Sequence, residues 1–365
     1  CQGYHAGTIF KQWYHWYSLG YTPAGVEIWN AMRALDYLES RDDVDGDRLG
    51  VTGLSGGGAM SWFLAAADER VACCVPVCQT GTIEQHVADR TVDGHCDCAF
   101  WINLHRWCTP DVGALIAPRP LLVASGTEDV LWRPQAFREV MARLRRQYQA
   151  LGAAESCALV EDHTPHGYTP VLRRAIFAWF NRHLKGDDRP VVDDVTPFVE
   201  PEENLLVFGG HPPAADRMRE VERLLIRRPS PALPTTAEGL RSWQAETLSR
   251  LRQTTFPATA PAAPPRLCES RAAGSAGDRS GRTWVFATAD AVELRAHLMQ
   301  PAKAGPAAAP LVAACLDPAV QRVFCCGLPV AADIQSLVVE VRDTGATALG
   351  AGLRNTARRL YMNHG

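Results

Sequence analysis

Gly53, Ser55 and Gly57 stand in the spacing G-x-S-x-G inside RLGVTGLSGGGAMSWFLAAA, residues 48–67. A serine at the centre of that pattern sits on a strained strand-to-helix turn with its hydroxyl projecting outward, and neighbours without a Cβ relieve the crowding. Two further groups could complete a nucleophilic site. Asp129 follows the apolar run PLLVAS (120–125) and Gly126, where a parallel sheet presents carboxylates; Glu128 beside it reads better as a solvated turn residue. His166 lies in EDHTPHGY (161–168), beside a glycine and farther out in the loop than its competitor His163. Serine is a weak nucleophile until an imidazole takes its proton, and a carboxylate can hold that imidazole in the right tautomer. Ser55, Asp129 and His166 are therefore the candidate nucleophile, acid and base. The backbone N–H of Gly56 is the candidate oxyanion donor.

These groups need elements to hold them. Leu49, Val51 and Leu54 supply a short strand before Ser55, and Met60, Phe63, Leu64 and Ala67 recur at helical spacing after it. Upstream, Thr22 and Pro23 offer a helix cap and a first-turn proline, with Ile28, Met32, Leu35 and Leu38 on one face and an end near Ser40. Val71–Cys78 is a continuous apolar run of the kind buried on both faces of a parallel sheet. Pro134–Leu151 carries Phe137, Val140, Met141, Leu144 and Tyr148 on one face and stops at Gly152. Cys157–Val160 makes a last strand, and a closing helix from Pro170 turns Leu172, Ile176, Phe177, Phe180 and Leu184 inward before Gly186. Strands alternating with helices predict an α/β fold around a mostly parallel sheet.

Two stretches resist a simple periodic reading. Cys1–Tyr21 is rich in rings, among them Trp13, Tyr14, His15, Trp16 and Tyr17, and reads as an ordered loop whose rings pack beneath it or line a substrate rim. Residues 79–118 read as an irregular cap holding His86, His95, Cys96, Cys98, His105 and Cys108. His95, Cys96 and Cys98 invite a metal reading, but structural zinc pairs usually keep C-x₂₋₄-C spacing and this pair is C-x-C. Internal packing is the expectation, with no metal and no cofactor.

Composition narrows the partners. Among 365 residues, Lys and Arg number 37 and Asp and Glu 40, for a formal charge of −3, so no global field recruits nucleic acid or an anionic membrane. No apolar run is long enough to span a bilayer. A small or uncharged substrate fits better. Of the twelve cysteines, Cys73, Cys74 and Cys78 lie in an apolar run where the thiol acts as a small hydrophobe. The chain opens on Cys1 without a methionine or signal-type segment, and so reads as part of something longer.

The chain order nucleophile, acid, histidine is that of the α/β hydrolases, distinct from the chymotrypsin and subtilisin orders. The runs TPAGVEIWNAMRALDYLESRDDVDGDRLGVTGLSGGG, AAADERVACCVPVC, GHCDCAF, APRPLLVASGTEDV and HGYTPVLRRAIFAWFNRHLKG resemble the acetyl xylan esterase-like branch of that superfamily, related to dienelactone hydrolases. The resemblance covers Cys1 to about Gly186. It implies an α/β-hydrolase fold with Ser55 as nucleophile, Asp129 as acid and His166 as base, and it implies a serine esterase acting on a small-molecule or polysaccharide ester, with deacetylation of plant polysaccharide as the expected reaction. GHCDCAF also looks like a family segment, which favours a built-in cap. Hydrolases of this kind carry further strands before the elbow strand and take a second oxyanion N–H from an earlier loop. The expectation is thus an N-terminally truncated hydrolase. A prolyl-oligopeptidase-like peptidase and an inert truncated module are the competing readings.

Composition shifts after Asp187. Residues 1–189 read as the late part of a hydrolase domain and 190–265 as a proline- and alanine-rich connecting segment, with a strand at Leu205–Phe208 and a helix around Gly239–Leu251. Residues 266–365 resemble the opening half of a second hydrolase-like domain. Two strands are expected in Arg282–Leu298, with others at Pro310–Cys315 and Ser336–Glu340, followed by a turn at Arg342–Ala346.

Overall fold

Burial of the strands on both faces explains how the sheet is sandwiched. In β2 (Val71–Val77), Cys73, Val75 and Val77 enter one apolar cluster while Val71 and Cys74 enter another; β3 (Leu121–Gly126) splits likewise into Leu122 and Ala124 against Leu121 and Val123. A strand buried on both faces must have helices on both. These observations come from a computed structural model, which describes residues 15–91, 94–217, 232–255, 266–276, 279–287, 293–301, 311–315 and 335–339, together with residues 5, 7, 224, 226 and 230.

The chain divides into two units near residue 240. In the first, β1 (Leu49–Leu54), β2, β3 and β4 (Cys157–Asp162) form a wholly parallel sheet in the order β1-β2-β3-β4. Because the strands are parallel and consecutive, all four carboxyl ends lie along one edge. Helices α1 (Pro23–Glu39), α2 (Gly56–Ala67) and α4 (Pro134–Ala150) contribute Leu35, Trp62, Phe63, Val140, Met141, Leu144 and Tyr148 to the first cluster. Between them in the chain, α3 (Ile83–Asp89) is capped by Thr82, whose Oγ1 accepts from the Gln85 N–H at 3.2 Å. Helix α5 (Pro170–Lys185) covers the opposite face with Leu172, Ile176 and Trp179. Thr22 caps α1 as expected, accepting from the Gly25 N–H at 2.9 Å, and Gly186 closes α5 in the left-handed region. The α/β expectation holds.

The cysteines of β2 are wall material. Burial pushes the Cys73 thiol up to about 12 and the Cys157 thiol in β4 up to about 11, so neither ionises near neutral pH.

Several expectations are corrected. Residues 79–118 contain the capped helix α3, which escaped the sequence reading because seven residues hold too few apolar positions to show a period. The aromatic opening contains a helical turn, His15–Ser18, that buries Trp16 beside Val26 and Ile226; Trp13 and Tyr14 lie outside the described residues. The strand expected at Leu205–Phe208 is absent: a helical turn, Glu202–Leu205, runs into a bend, and Leu205, Val207 and Phe208 are exposed. A strand needs a neighbour to satisfy its N–H and C=O groups, and none among the described residues pairs there. The expected helix near Gly239 is present as α6 (Ala237–Arg250).

The second unit holds a separate five-stranded sheet. Its strands are β5 (Arg266–Ala276), β6 (Arg279–Ala287), β7 (Glu293–Pro301), β8 (Leu311–Cys315) and β9 (Gln335–Val339), in the order β5-β6-β7-β9-β8. The pairs β5–β6, β6–β7 and β7–β9 are antiparallel, and β8–β9 is parallel. β5 was not anticipated, since RLCESRAAGSA offers few β-branched or aromatic side chains. The turn at Arg342–Ala346 lies outside the described residues.

One side chain ties α2 to the sheet. The Arg119 guanidinium donates to the carbonyls of Val71 at 2.6 Å, Ala65 at 2.6 Å, Asp68 at 3.2 Å and Leu115 at 3.3 Å. Arg119→Met removes the donors and leaves these carbonyls without their partner, which should lower unfolding free energy by about 2–3 kcal/mol in urea denaturation. Arg119→Lys should recover only part, because an ammonium cannot reproduce the planar fork. An Arg119→Met protein as stable as the parent would contradict this role.

Candidate active site

Ser55 occupies the junction between β1 and α2 with φ 58° and ψ −115°, a conformation outside the usual regions for an L-residue. Such a backbone persists only where the surroundings over-determine it, at a cost of order 1–3 kcal/mol. The determinants are local. The Ser55 N–H donates to the Val77 carbonyl at 2.9 Å, extending the β1–β2 ladder by one bond, while its own carbonyl accepts from the Ala59 N–H at 2.9 Å and starts the helix. Between those two commitments the chain must reverse sharply. Gly53 permits it: a Cβ there would lie 2.4 Å from the carbonyl carbon and oxygen of Gly57.

Asp129 and His166 meet at the same carboxyl edge. The His166 Nδ1–H donates to Asp129 Oδ2 at 2.7 Å, and Asp129 Oδ1 accepts from the backbone N–H groups of Leu131 at 2.9 Å and Trp132 at 3.2 Å. The carboxylate side chain is fully buried, whereas the imidazole keeps 29% of its surface open. Burial by itself would raise the Asp129 carboxyl, but the hydrogen bonds from His166, Leu131 and Trp132 hold it below its ordinary range. An Nδ1–H committed to a carboxylate leaves Nε2 with a free lone pair, the state a general base requires.

The histidine loop reaches back across the sheet. Tyr168 Oη lies 3.1 Å from Thr52 Oγ1 on β1, and the carbonyl of Gly167 lies 3.8 Å from Cys78 Sγ. Cys78 follows Val77, the residue paired to Ser55, and its sulfur is within 4.8 Å of the Asp129 carboxylate and the His166 ring. The loop bearing His166 thus spans from β4 to the strand that ends at Ser55. The competing residues pair with each other instead: Glu128 Oε1 lies 3.3 Å from His163 Nε2, with His163 83% exposed.

A narrow cleft at the elbow is lined by Ser55, Gly56, Ala59, Gly94, Leu131 and Trp132, with His95, Cys96 and Cys98 from the cap. The cap residues singled out in the sequence separate into distinct groups. His95 Nε2 pairs with His86 Nδ1 at 2.8 Å, and both rings pack on Trp132. His105 stacks on Trp107, and Cys108 Sγ lies 3.3 Å from Glu84 Oε2. Sequence reasoning missed His5, whose ring stands against Gly56 and within 3.7 Å of Cys98 Sγ. A separation of 93 residues from Cys98 left no local signal to find it.

Two outcomes test this geometry. Gly53→Ala should lower stability by about 3 kcal/mol in denaturant melts, whereas Gly57→Ala, whose Cβ would enter open space, should be nearly neutral. Equal effects would refute the close approach. Asp129, depressed in the folded state, contributes stability that is fully present above its unfolded value of about 3.9 and lost as pH falls through its lower folded value. Asp129→Asn should therefore flatten the acid limb of the stability profile below about pH 4; an unchanged limb would contradict the depressed carboxyl.

No family model matches the chain. A relative from Bacillus subtilis (strain 168), named "Putative hydrolase YtaP", is 32% identical over 163 residues, covering 44% of this chain and 54% of that protein. The chain thus spans about half the length of the curated relative it matches. Among solved structures, the glucuronoyl esterase from Sporotrichum thermophile is 22% identical with a TM-score of 0.41, covering 47% of this chain and 54% of that one. Methylesterase BT1017 is 23% identical with a TM-score of 0.41, covering 68% and 50%. With a parallel sheet flanked by helices and a G-x-S-x-G turn between β1 and α2, the first unit has the α/β-hydrolase arrangement.

Proposed function

We propose that the first unit is the late part of a serine esterase site. The observation that carries this reading is the backbone of Ser55, held at φ 58° and ψ −115° on the edge where the Asp129–His166 pair also stands. Strain of that kind serves a packing role poorly and a nucleophile well, because it lifts the hydroxyl out of the helix and aims it away from the sheet. His166 Nε2 takes the Ser55 proton as Oγ attacks the ester carbonyl, and the N–H of Gly56 donates to the developing oxyanion. Collapse expels the alcohol, protonated by His166, and leaves an acyl-serine. Water, deprotonated by the same imidazole, then releases the acid. Asp129 fixes the tautomer and stabilises the imidazolium.

The narrowness of the cleft at Ser55 favours a short acyl group, and with the resemblance noted in the sequence it supports an acetyl ester of a carbohydrate as substrate. The five-stranded sheet of residues 266–339, with its crossed β9-β8 order, is in keeping with the opening half of a second hydrolase-like domain after a connecting segment. The relative YtaP carries a hydrolase name, which points the same way.

Fluorophosphonate labelling and hydrolysis of p-nitrophenyl acetate test the proposal together. The parent should label at Ser55 and hydrolyse the ester, with kcat falling on the order of 10⁶ in Ser55→Ala or His166→Ala and on the order of 10⁴ in Asp129→Asn. A parent that neither labels nor turns over, or a Ser55→Ala protein that still labels, would refute it. Preference for prolyl amides over acetyl esters would move the assignment to a peptidase.

A further inference from the structure

The cap carries a cluster that the proposed ester chemistry does not use. His5 Nε2, Cys96 Sγ and Cys98 Sγ all lie within 4.8 Å of one another, with His5 Nε2 to Cys98 Sγ at 3.7 Å. Zinc–sulfur bonds of about 2.3 Å and zinc–nitrogen bonds of about 2.1 Å at a tetrahedral angle place a sulfur and a nitrogen about 3.6 Å apart. The observed spacing matches that edge. On its far side, His5 Nδ1 donates to Glu27 Oε1 at 2.6 Å from α1, which fixes the ring with Nε2 turned toward the sulfurs. A carboxylate behind a ligating imidazole is the usual support for a metal-bound histidine. Cys98 is buried, while the side chains of His5 and Glu27 keep 21% and 14% of their surface exposed.

We propose that His5, Cys96 and Cys98 bind one divalent cation of the zinc class, with water in the fourth position. Two thiolates and one imidazole are a borderline-soft donor set, suited to zinc and poorly suited to calcium or magnesium. The charges match: two thiolates offset a dication, so the filled site carries no uncompensated charge. The C-x-C spacing that argued against a zinc finger is no obstacle, because the third ligand lies 93 residues from Cys98 rather than in a second close pair. His95, the histidine that the sequence placed next to the pair, is committed to His86.

The location gives the ion a positioning role. A Cβ on Gly56 would lie 2.7 Å from His5 Cε1 and 3.2 Å from Cys98 Sγ, so the cluster rests on the first residue of α2, immediately after Ser55. A metal there would clamp His5 and the cap loop onto the elbow.

Metal content tests this independently of any esterase activity. The full chain, purified reduced and without a histidine tag, should bind one equivalent of zinc. With cobalt(II) it should show thiolate charge-transfer absorption and tetrahedral d–d bands. Glu27→Gln should weaken cobalt binding about 10–100-fold, and Cys98→Ser, Cys96→Ser or His5→Gln should weaken it more. His95→Gln and Cys108→Ser should bind as the parent does. Where a ligand variant fails to fold, the cobalt spectrum of the parent decides. Failure of the parent to bind, an octahedral spectrum without thiolate bands, unchanged affinity in the folded ligand variants, or a Cys96–Cys98 disulfide persisting under reduction would each overturn the site.

Discussion

The constraint on which the first unit depends is the reversal of the chain at Ser55. One residue ends a ladder bond to Val77 and begins a helix through its carbonyl, and it does both on a strained backbone at φ 58°. The strain is tolerated because both sides are anchored. β1 is locked to β2 through six paired residues, and α2 buries Trp62, Phe63, Leu64 and Ala65 against the sheet. Burying side chains the size of Phe63 and Leu64 stabilises by about 1.5–3 kcal/mol each, enough to outweigh the cost of a single strained residue. The glycines next to the serine are the steric counterpart of this anchoring.

Around that point the rest is arranged by the parallel sheet. Four consecutive strands running the same way bring residues 55, 129 and 166 to one edge despite separations of 74 and 37 positions, without any of the three needing an unusual local structure apart from the serine. Precision then comes from smaller contacts. The Leu131 and Trp132 amides hold one carboxylate oxygen of Asp129 and leave the other for His166, so the acid cannot turn away. Trp132 in turn packs on His86 and His95, which couples the acid loop to the cap. The cap is therefore part of the site's support as well as its wall.

How much of this was legible in the sequence follows from range. The strand–turn–helix around Ser55, the proline-led helices α1, α4 and α5, and the glycine stop at Gly186 are local signals, and the observed boundaries fall within a residue or two of the expected ones. The choice of Asp129 over Glu128 and of His166 over His163 rested on local cues, a place past a strand end and beside a loop glycine, and Asp129 and His166 do pair with each other. What the sequence could not show was pairing at a distance: His5 with Cys98, Tyr168 with Thr52, or the cross-cap histidine pair. Short or weakly patterned elements were missed for a different reason. α3 has one capping signal and little periodicity, β5 is built from small and polar residues, and 205–208 looks like a strand only if a neighbour is assumed.

The central claim is that the Ser55 hydroxyl attacks an ester carbonyl. Rapid acid quench of the protein with p-nitrophenyl acetate, followed by peptide mass spectrometry, reads that event directly. The account predicts a single acetyl group on the peptide containing Ser55, accumulating within one turnover and disappearing as substrate is exhausted. Acetyl groups found only on surface lysines, or none at all while the ester is being hydrolysed, would contradict it.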